Sequence, residues 1–597
     1  MERNYGDLRG HVTDLYIDYL ERRAEAGVGL VFTEATYVRE DGRGRRWQLG
    51  AHDDSCVPGL ASLARALHAH GSLVGVELNH GGRTAQSAVN GQATVAPSPV
   101  PCEVAGGEMP RALSTREVRD VARAFGIAAG RCVRAGIDVL SIHGGHGYLI
   151  YQFMSPLYNL RSDEFADPVV FLNLVIEEVR AAAPRLAVGL RFSSVEGTEG
   201  GLDADDTLAI IQRAHLESLD FLDVSAGSYE AGELTIQTGE FEPGFLAAFA
   251  HPYRSFGLPV GLAGRINTPE VAAHLVAAQH CDFVSIGRAL HADPAWASAA
   301  LTGTNYRPCI ACNVCIDGLA AGPVGCTVNP AVGTGTIPLP TPSLRRPEQV
   351  TIMGGGPAGM AAARELSAAG ALVTLHEQAA QLGGSLTLAS RMRVNPEFHR
   401  LREWLVSEMD RLRVSVIHAS DQVNVESSAE SAAVLWAVGG VPRTPDVAGI
   451  ERGRVRHVRD WLLAGEEPPA SCTIWGADTL GVALADTLAS AGSEVLLIGQ
   501  QSDFAPEAGR RTKILAVPRL ISNPTVDVQL GVSLLAIGDT TVTLERAGGE
   551  IVQIDSQGPL FISQGISGGV PSTLREAIAR GTADARALID RLNSEVR

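Results

Sequence analysis

Residues 309–329 read C-I-A-C-N-V-C-I-D-G-L-A-A-G-P-V-G-C-T-V-N, and this stretch decides how the rest of the chain is understood. Cys309, Cys312, Cys315 and Cys326 form a C-x2-C-x2-C-x10-C pattern. Three thiolates on one tight loop, with a fourth returning after a short excursion, suit a cubane iron–sulfur cluster. Zinc is the other group that C-x2-C pairs hold, but zinc motifs present two separated pairs rather than a triplet and a single. A cubane carries electrons, so redox domains are expected on either side.

Upstream, residues 1–300 alternate short apolar runs with amphipathic stretches. The runs at 29–34, 73–78, 138–143, 187–191, 221–225, 259–263 and 283–287 are strand candidates. Each leads through polar residues towards a helix, which is the βα repeat of a parallel barrel. Seven strands are counted where a closed (β/α)8 TIM barrel has eight. The first strand should precede the helix expected at 12–26, where only eleven residues remain.

Downstream, residues 331–348 are a proline-punctuated linker. The run 349–353 ends in G-G-G-P-A-G, so that Gly354, Gly356 and Gly359 fit G-x-G-x-x-G. A second strand at 371–376 ends at Glu377, 23 residues after Gly354. Tight turn, helix N-terminus for a pyrophosphate and carboxylate for a ribose together make a Rossmann-like fingerprint for an adenine dinucleotide. A second unit begins at Thr473 as T-I-W-G-A-D-T-L-G, but Asp478 stands where the second glycine should be. Its next strand ends in Gly499-Gln500-Gln501, with no acid for a ribose, so NAD(P)H binding there is expected to be poor.

The 597 residues hold 45% hydrophobic side chains and carry a net charge of −18, which describes globular cores and argues against nucleic acid as a partner. No run approaches the roughly 20 apolar residues of a membrane span. The cysteines outside the cluster motif are scattered among apolar neighbours, as in a reducing compartment. A cytoplasmic enzyme acting on a small molecule is expected.

Residues 142–149, I-H-G-G-H-G-Y-L, place His143 and His146 three apart after a strand, with Tyr148 beside them. Two imidazoles converging on a barrel mouth can grip a carbonyl oxygen as negative charge develops on it, and Tyr148 is a candidate proton donor. The bland alternative is that they serve loop hydrogen bonds.

These motifs resemble the old yellow enzyme family, and the whole layout resembles its multi-centre branch, which includes 2,4-dienoyl-CoA reductase and trimethylamine dehydrogenase. The resemblance implies an FMN barrel (1–300), an iron–sulfur loop and linker (301–346), and a glutathione-reductase-like pair of nucleotide-binding domains. Of that pair, residues 347–470, completed by 556–597, would hold FAD or ADP, and residues 471–555 would be the degenerate NAD(P)-type unit. The FMN contacts it implies are Glu77 on the third strand, Arg191 on the fifth, and Gly264-Arg265 and Gly287-Arg288 for the phosphate. Gly384 joins Gly354, Gly356, Gly359 and Glu377 in the dinucleotide site. Glutamate at Glu77 is similar to the amine dehydrogenase side of the family, where reductases carry glutamine. No cysteine precedes Cys56, so a cysteinyl link to FMN is not expected. Two activities are implied. One is reduction of an α,β-unsaturated carbonyl compound; the other is amine oxidation with electrons exported through the [4Fe-4S] cluster to an external electron-transfer protein. A homo-oligomer is expected.

Overall fold

The computed structural model describes residues 1–419, 433–568 and 573–595. Its N-terminal sheet has seven parallel strands in sequence order: β1 Leu30–Tyr37, β2 Leu73–Asn79, β3 Val139–Gly144, β4 Ala187–Ser193, β5 Phe221–Ser225, β6 Val260–Ala263 and β7 Phe283–Ser285. β1 and β7 are its edges among the described residues. Strands covered on both faces read as continuous apolar runs, which is why they were visible in sequence. The helix Thr115–Arg134 shows how the outer layer is built. Ser114 and Glu117 close a capping box, and Val118, Val121, Ala122 and Phe125 form the buried stripe. Burying a side chain such as Phe125 contributes about 1.5–3 kcal/mol. Gly126 lets the neighbouring helix Val170–Ala182 approach, since a Cβ there would stand 2.8 Å from the Glu178 carbonyl oxygen.

Register then fixes the functional face. His143 pairs with Arg191 and Arg191 with Asp223, while Glu77 pairs with Ser141. All of these lie at or near the C-terminal ends of β2 to β5, the end at which barrel enzymes place their chemistry.

The second half holds two further parallel sheets. In the first, strands β8 Gln349–Met353, β9 Leu372–Glu377, β10 Ser415–His418 and β11 Ala433–Trp436 are ordered β10-β9-β8-β11. In the second, β12 Val455–His457, β13 Ser471–Trp475, β14 Glu494–Gly499 and β15 Val526–Leu530 are joined by a strand from further along the chain, Leu560–Ile562, which sits between β12 and β13. The strands at 455–457 and 560–562 of this sheet fall outside the span 471–555 expected for the second unit. Leu560–Ile562 pairs with β12 on one side and β13 on the other, so it and β12 both lie in the sheet of the second unit. The helix Leu574–Glu595 does return to the first unit, where Ile578, Ala585 and Ile589 join the same core as Val350, Ile352 and Leu366. No helix among the described residues is long and apolar enough to cross a membrane.

Candidate active site

At the barrel mouth Glu77, His143, Arg191 and Asp223 form one buried network. Arg191 Nη1 donates to Glu77 Oε2 at 3.1 Å, and its Nε lies 3.6 Å from Asp223 Oδ2. His143 Nε2 stands 3.5 Å from Glu77 Oε1. Burial works to raise the Glu77 carboxyl, but His143 and Arg191 overcome it and hold the group at about 2. Burial lowers His143 to about 4 against the pull of Glu77, so its ring is neutral at physiological pH. The Gly145 N–H donates to His143 Nδ1 at 3.3 Å, which leaves the ring proton on Nε2. Asp223 is shifted the other way: burial raises it, more than Arg191 lowers it.

His146 is held in a left-handed backbone conformation, φ 58°, by its own N–H donating to Ser193 Oγ at 2.9 Å. Its Nε2 lies 2.7 Å from Ser225 Oγ. The two imidazoles are 5.0 Å apart, edge to face, and His143 meets the Tyr148 ring at 4.8 Å. The Tyr148 hydroxyl donates to Glu2 at 3.1 Å; burial first, then Glu2 and Tyr229, keep it firmly protonated. The three candidate catalytic residues, His143, His146 and Tyr148, are therefore brought together with Glu77 and Arg191.

Gly264 and Arg265 follow β6, and Gly287 and Arg288 follow β7. Both guanidinium groups reach the loop 237–241: Arg265 Nε donates to Phe241 O at 3.0 Å and Arg288 Nη1 to Gln237 O at 2.6 Å. Arg288 also donates to Asn313 Oδ1 at 2.5 Å, which ties this loop to the turn between Cys312 and Cys315. Two buried atoms here and at the mouth, Arg265 Nη1 and Arg191 Nε, have no hydrogen-bond partner. Buried donors without a hydrogen bond, one at the phosphate loop and one at the mouth, fit a ligand with an anionic tail and a polar ring edge, as FMN has.

The four cysteines of the motif are free thiols on one loop, close enough to influence one another. Burial, then Cys312 and Cys326, push Cys315 well up, and burial with Cys312 and Cys309 takes Cys326 to about 12. Among the described residues no three His, Cys, Asp or Glu side chains converge on a single metal ion. Four thiols, three on one tight loop and a fourth returning to it, are a donor set that fits a cubane, which takes one thiolate at each corner.

In the first nucleotide unit, Gly354 has φ 104°, and a Cβ at Gly359 would run into the Gly354 carbonyl. Glu377 accepts from the Gly355 N–H at 2.7 Å, which places its carboxylate beside the turn. Gly384, at φ 52°, faces Gly356 across the turn. Gly356 caps the helix Pro357–Ala368 with no side-chain hydrogen bond, so these amides stay open. The second unit differs. Asp478 caps the helix Thr479–Ser490 by accepting from the Gly481 N–H at 2.8 Å and from Ser563 Oγ at 2.6 Å. Glu507 accepts from the Thr479 N–H at 2.5 Å. The chain's own carboxylates take the place of a pyrophosphate.

Comparison with known proteins fits this layout. The family model of the NADH:flavin oxidoreductase / NADH oxidase family matches residues 4–306, half of the chain. The chain belongs to that family. Residues 348–560 match the pyridine nucleotide-disulphide oxidoreductase family. An NADH oxidase of Thermoanaerobacter brockii is 33% identical over 85% of this chain and 80% of its own length. A multifunctional alkene reductase/demethylase of Caballeronia cordobensis is 30% identical over 89% of this chain and 80% of its own. The structure of 2-naphthoyl-CoA reductase superposes with a TM-score of 0.91 over 100% of this chain and 96% of that one, at 24% identity, a likeness of fold. This member of the NADH:flavin oxidoreductase family is thus an oxidoreductase that joins an old-yellow-enzyme-type barrel to a pyridine nucleotide-disulphide oxidoreductase half.

Asp223, Ser193, Ser225 and Tyr229 were not anticipated from sequence. Asp223 had a signal, an acid inside the buried apolar run F-L-D-V-S. The serines had none, because their role depends on His146, 47 and 79 residues away in the chain.

Proposed function

We propose that this enzyme reduces the C=C bond of an α,β-unsaturated carbonyl compound, with His143 and His146 donating to the carbonyl oxygen. The observation that carries this is the imidazole pair itself, 5.0 Å apart, with a buried, neutral His143 whose proton sits on Nε2 and a partly buried His146 beside it. Neutral donors fixed before the reaction stabilise charge that builds on an oxygen without having to reorganise. Tyr148 keeps its proton and lies against His143, so it can protonate the carbon next to the carbonyl. Glu77 and Arg191 would hold the ring edge of FMN, and Gly264, Arg265, Gly287 and Arg288 its phosphate. FMN, when bound, supplies two-electron chemistry at the mouth. Cys309, Cys312, Cys315 and Cys326 would hold a [4Fe-4S] cluster for one-electron transfer, and Gly354, Gly356, Gly359, Glu377 and Gly384 would hold FAD or ADP.

Amine oxidation is the second reading. It is favoured by Glu77, a carboxylate held at about 2 within a buried mouth, and by the word demethylase in the name of the Caballeronia relative. The charge of Glu77 is already met by the Arg191 guanidinium, which leaves it poorly placed to attract a substrate ammonium. The test is flavin absorbance under anaerobic conditions. Reduced enzyme mixed with cyclic enones or enoyl thioesters should reoxidise. Bleaching of the oxidised enzyme by secondary or tertiary amines, with enones inert, would overturn the reductase reading.

A further inference from the structure

Arg265 is reached by a residue from outside the barrel. Glu397, which precedes the helix Phe398–Arg411 of the first nucleotide unit, accepts from Arg265 Nη2 at 2.6 Å. The pair is buried, with the Arg265 side chain 2% and that of Glu397 12% exposed. The other Glu397 oxygen accepts from Asn267 Nδ2 at 3.1 Å and from Arg400 Nη1 at 2.7 Å. Burial works against ionisation of Glu397, yet Arg265 and Arg400 keep it below the ordinary carboxylate range. On the barrel side, Phe241 O takes Arg265 Nε. The guanidinium is therefore clamped along two edges, and its remaining amino group, Nη1, is buried without a partner. The backbone is constrained as well: Gly264 has φ 108° and Arg265, a non-glycine residue, has φ 51°. Strained conformations of this kind persist where the surroundings over-determine them, and they gather at ligand sites.

We propose that Glu397 is a positioning residue for the flavin phosphate. It fixes the Arg265 fork so that Nη1 faces the anion, and it makes flavin loading of the barrel depend on the docked nucleotide unit. This rests on the assignment of Arg265 to the FMN phosphate. An arginine fork bonds an anion well only when its plane is set beforehand, because a free side chain loses its rotamer freedom on binding. A Cβ added at Gly239, on the loop that Arg265 spans, would stand 3.3 Å from Pro396, so this loop runs close beside the residue that precedes Glu397.

The test compares FMN with riboflavin, which lacks the phosphate, by fluorescence titration of the full chain stripped of flavin. Arg265→Ala should lower FMN affinity ~100-fold, the scale of a lost charge-assisted hydrogen-bond pair, with riboflavin affinity unchanged. If it does not, the phosphate lies elsewhere and the assignment of Arg265 fails. Given that loss, Glu397→Ala should lower FMN affinity about 10-fold and leave riboflavin binding as it was, which also shows that the barrel is folded. Glu397→Gln keeps an acceptor for Nη2 and should retain most of the affinity. Unchanged or tighter FMN binding in Glu397→Ala, with Arg265→Ala weakened, would overturn the proposal and leave the pair a plain interdomain ion pair.

Discussion

Arg191 and Glu77 sit two strands apart, on β4 and β2, yet their side chains meet at 3.1 Å across the strand between them. Both must point into the barrel for this to occur. The carboxylate is buried, and after His143 it is the guanidinium, by its charge and its hydrogen bond, that keeps it ionised. Arg191→Met should therefore destabilise the protein by about 3–5 kcal/mol in urea unfolding, the cost of stranding a buried charge. Adding Glu77→Gln should recover part of that loss; no recovery would mean that the two groups do not act as a pair.

The imidazole pair yields a kinetic expectation. Alanine at His143 or His146 should lower enone turnover by ~10^2 or more, the usual effect of removing an oxyanion donor. Tyr148→Phe should slow protonation and leave flavin reoxidation partly intact. Near-normal reoxidation in the double histidine variant would defeat the proposed chemistry.

Acid should act on the mouth in a defined window. The His143 value, about 4 in the folded protein, lies below its ordinary 6.5, so the unfolded chain binds a proton that the folded one does not. Stability therefore falls as the pH drops from 6.5 towards 4. Glu77 is lowered from 4.5 to about 2, so its contribution is present above 4.5 and is lost as pH falls through 2. In a series of melting curves, His143→Asn should flatten the dependence between pH 6.5 and 4. An unchanged slope would show that the ring is not held neutral.

How far the sequence was legible depends on whether a signal was local. The runs at 221–225 and 349–353 became Phe221–Ser225 and Gln349–Met353, because a buried parallel strand announces itself by an unbroken apolar run between polar ends. The antiparallel strands Ser533–Ile537, Thr541–Glu545 and Ile551–Asp555 went unread, although T-V-T-L-E alternates with the period of a half-buried strand. Glu397 carried no signal at all. It lies 132 residues from Arg265, in a segment with no motif, and only packing of one unit on another brings it there. Asp478 was readable as an intruder in a glycine turn, but its partner Ser563, 85 residues away, was not.

The cysteine loop is checked by composition. Protein purified without oxygen should carry roughly four iron and four sulfide per chain, and Cys312→Ser should lose both. Stoichiometric zinc without sulfide would sink the cluster.

Nucleotides should distinguish the two Rossmann-like units. Reduction of the enzyme by NADH or NADPH through the second unit should be slow, since Asp478 and Glu507 place two carboxylates at the helix end that a pyrophosphate needs. Rapid stoichiometric reduction that is lost on changing Gly476→Val would contradict this.

The self-capped helix of the second unit has a thermodynamic corollary. A helix end whose amides are answered by its own chain has nothing to gain from added nucleotide, so its melting should be indifferent to the ligand pool. The first unit, capped by Gly356 without a side chain, keeps open amides and should climb in stability with ligand concentration by mass action. One half of the molecule then behaves as a permanent strut and the other as a reporter of supply, so starvation for cofactor would loosen the protein from one side only.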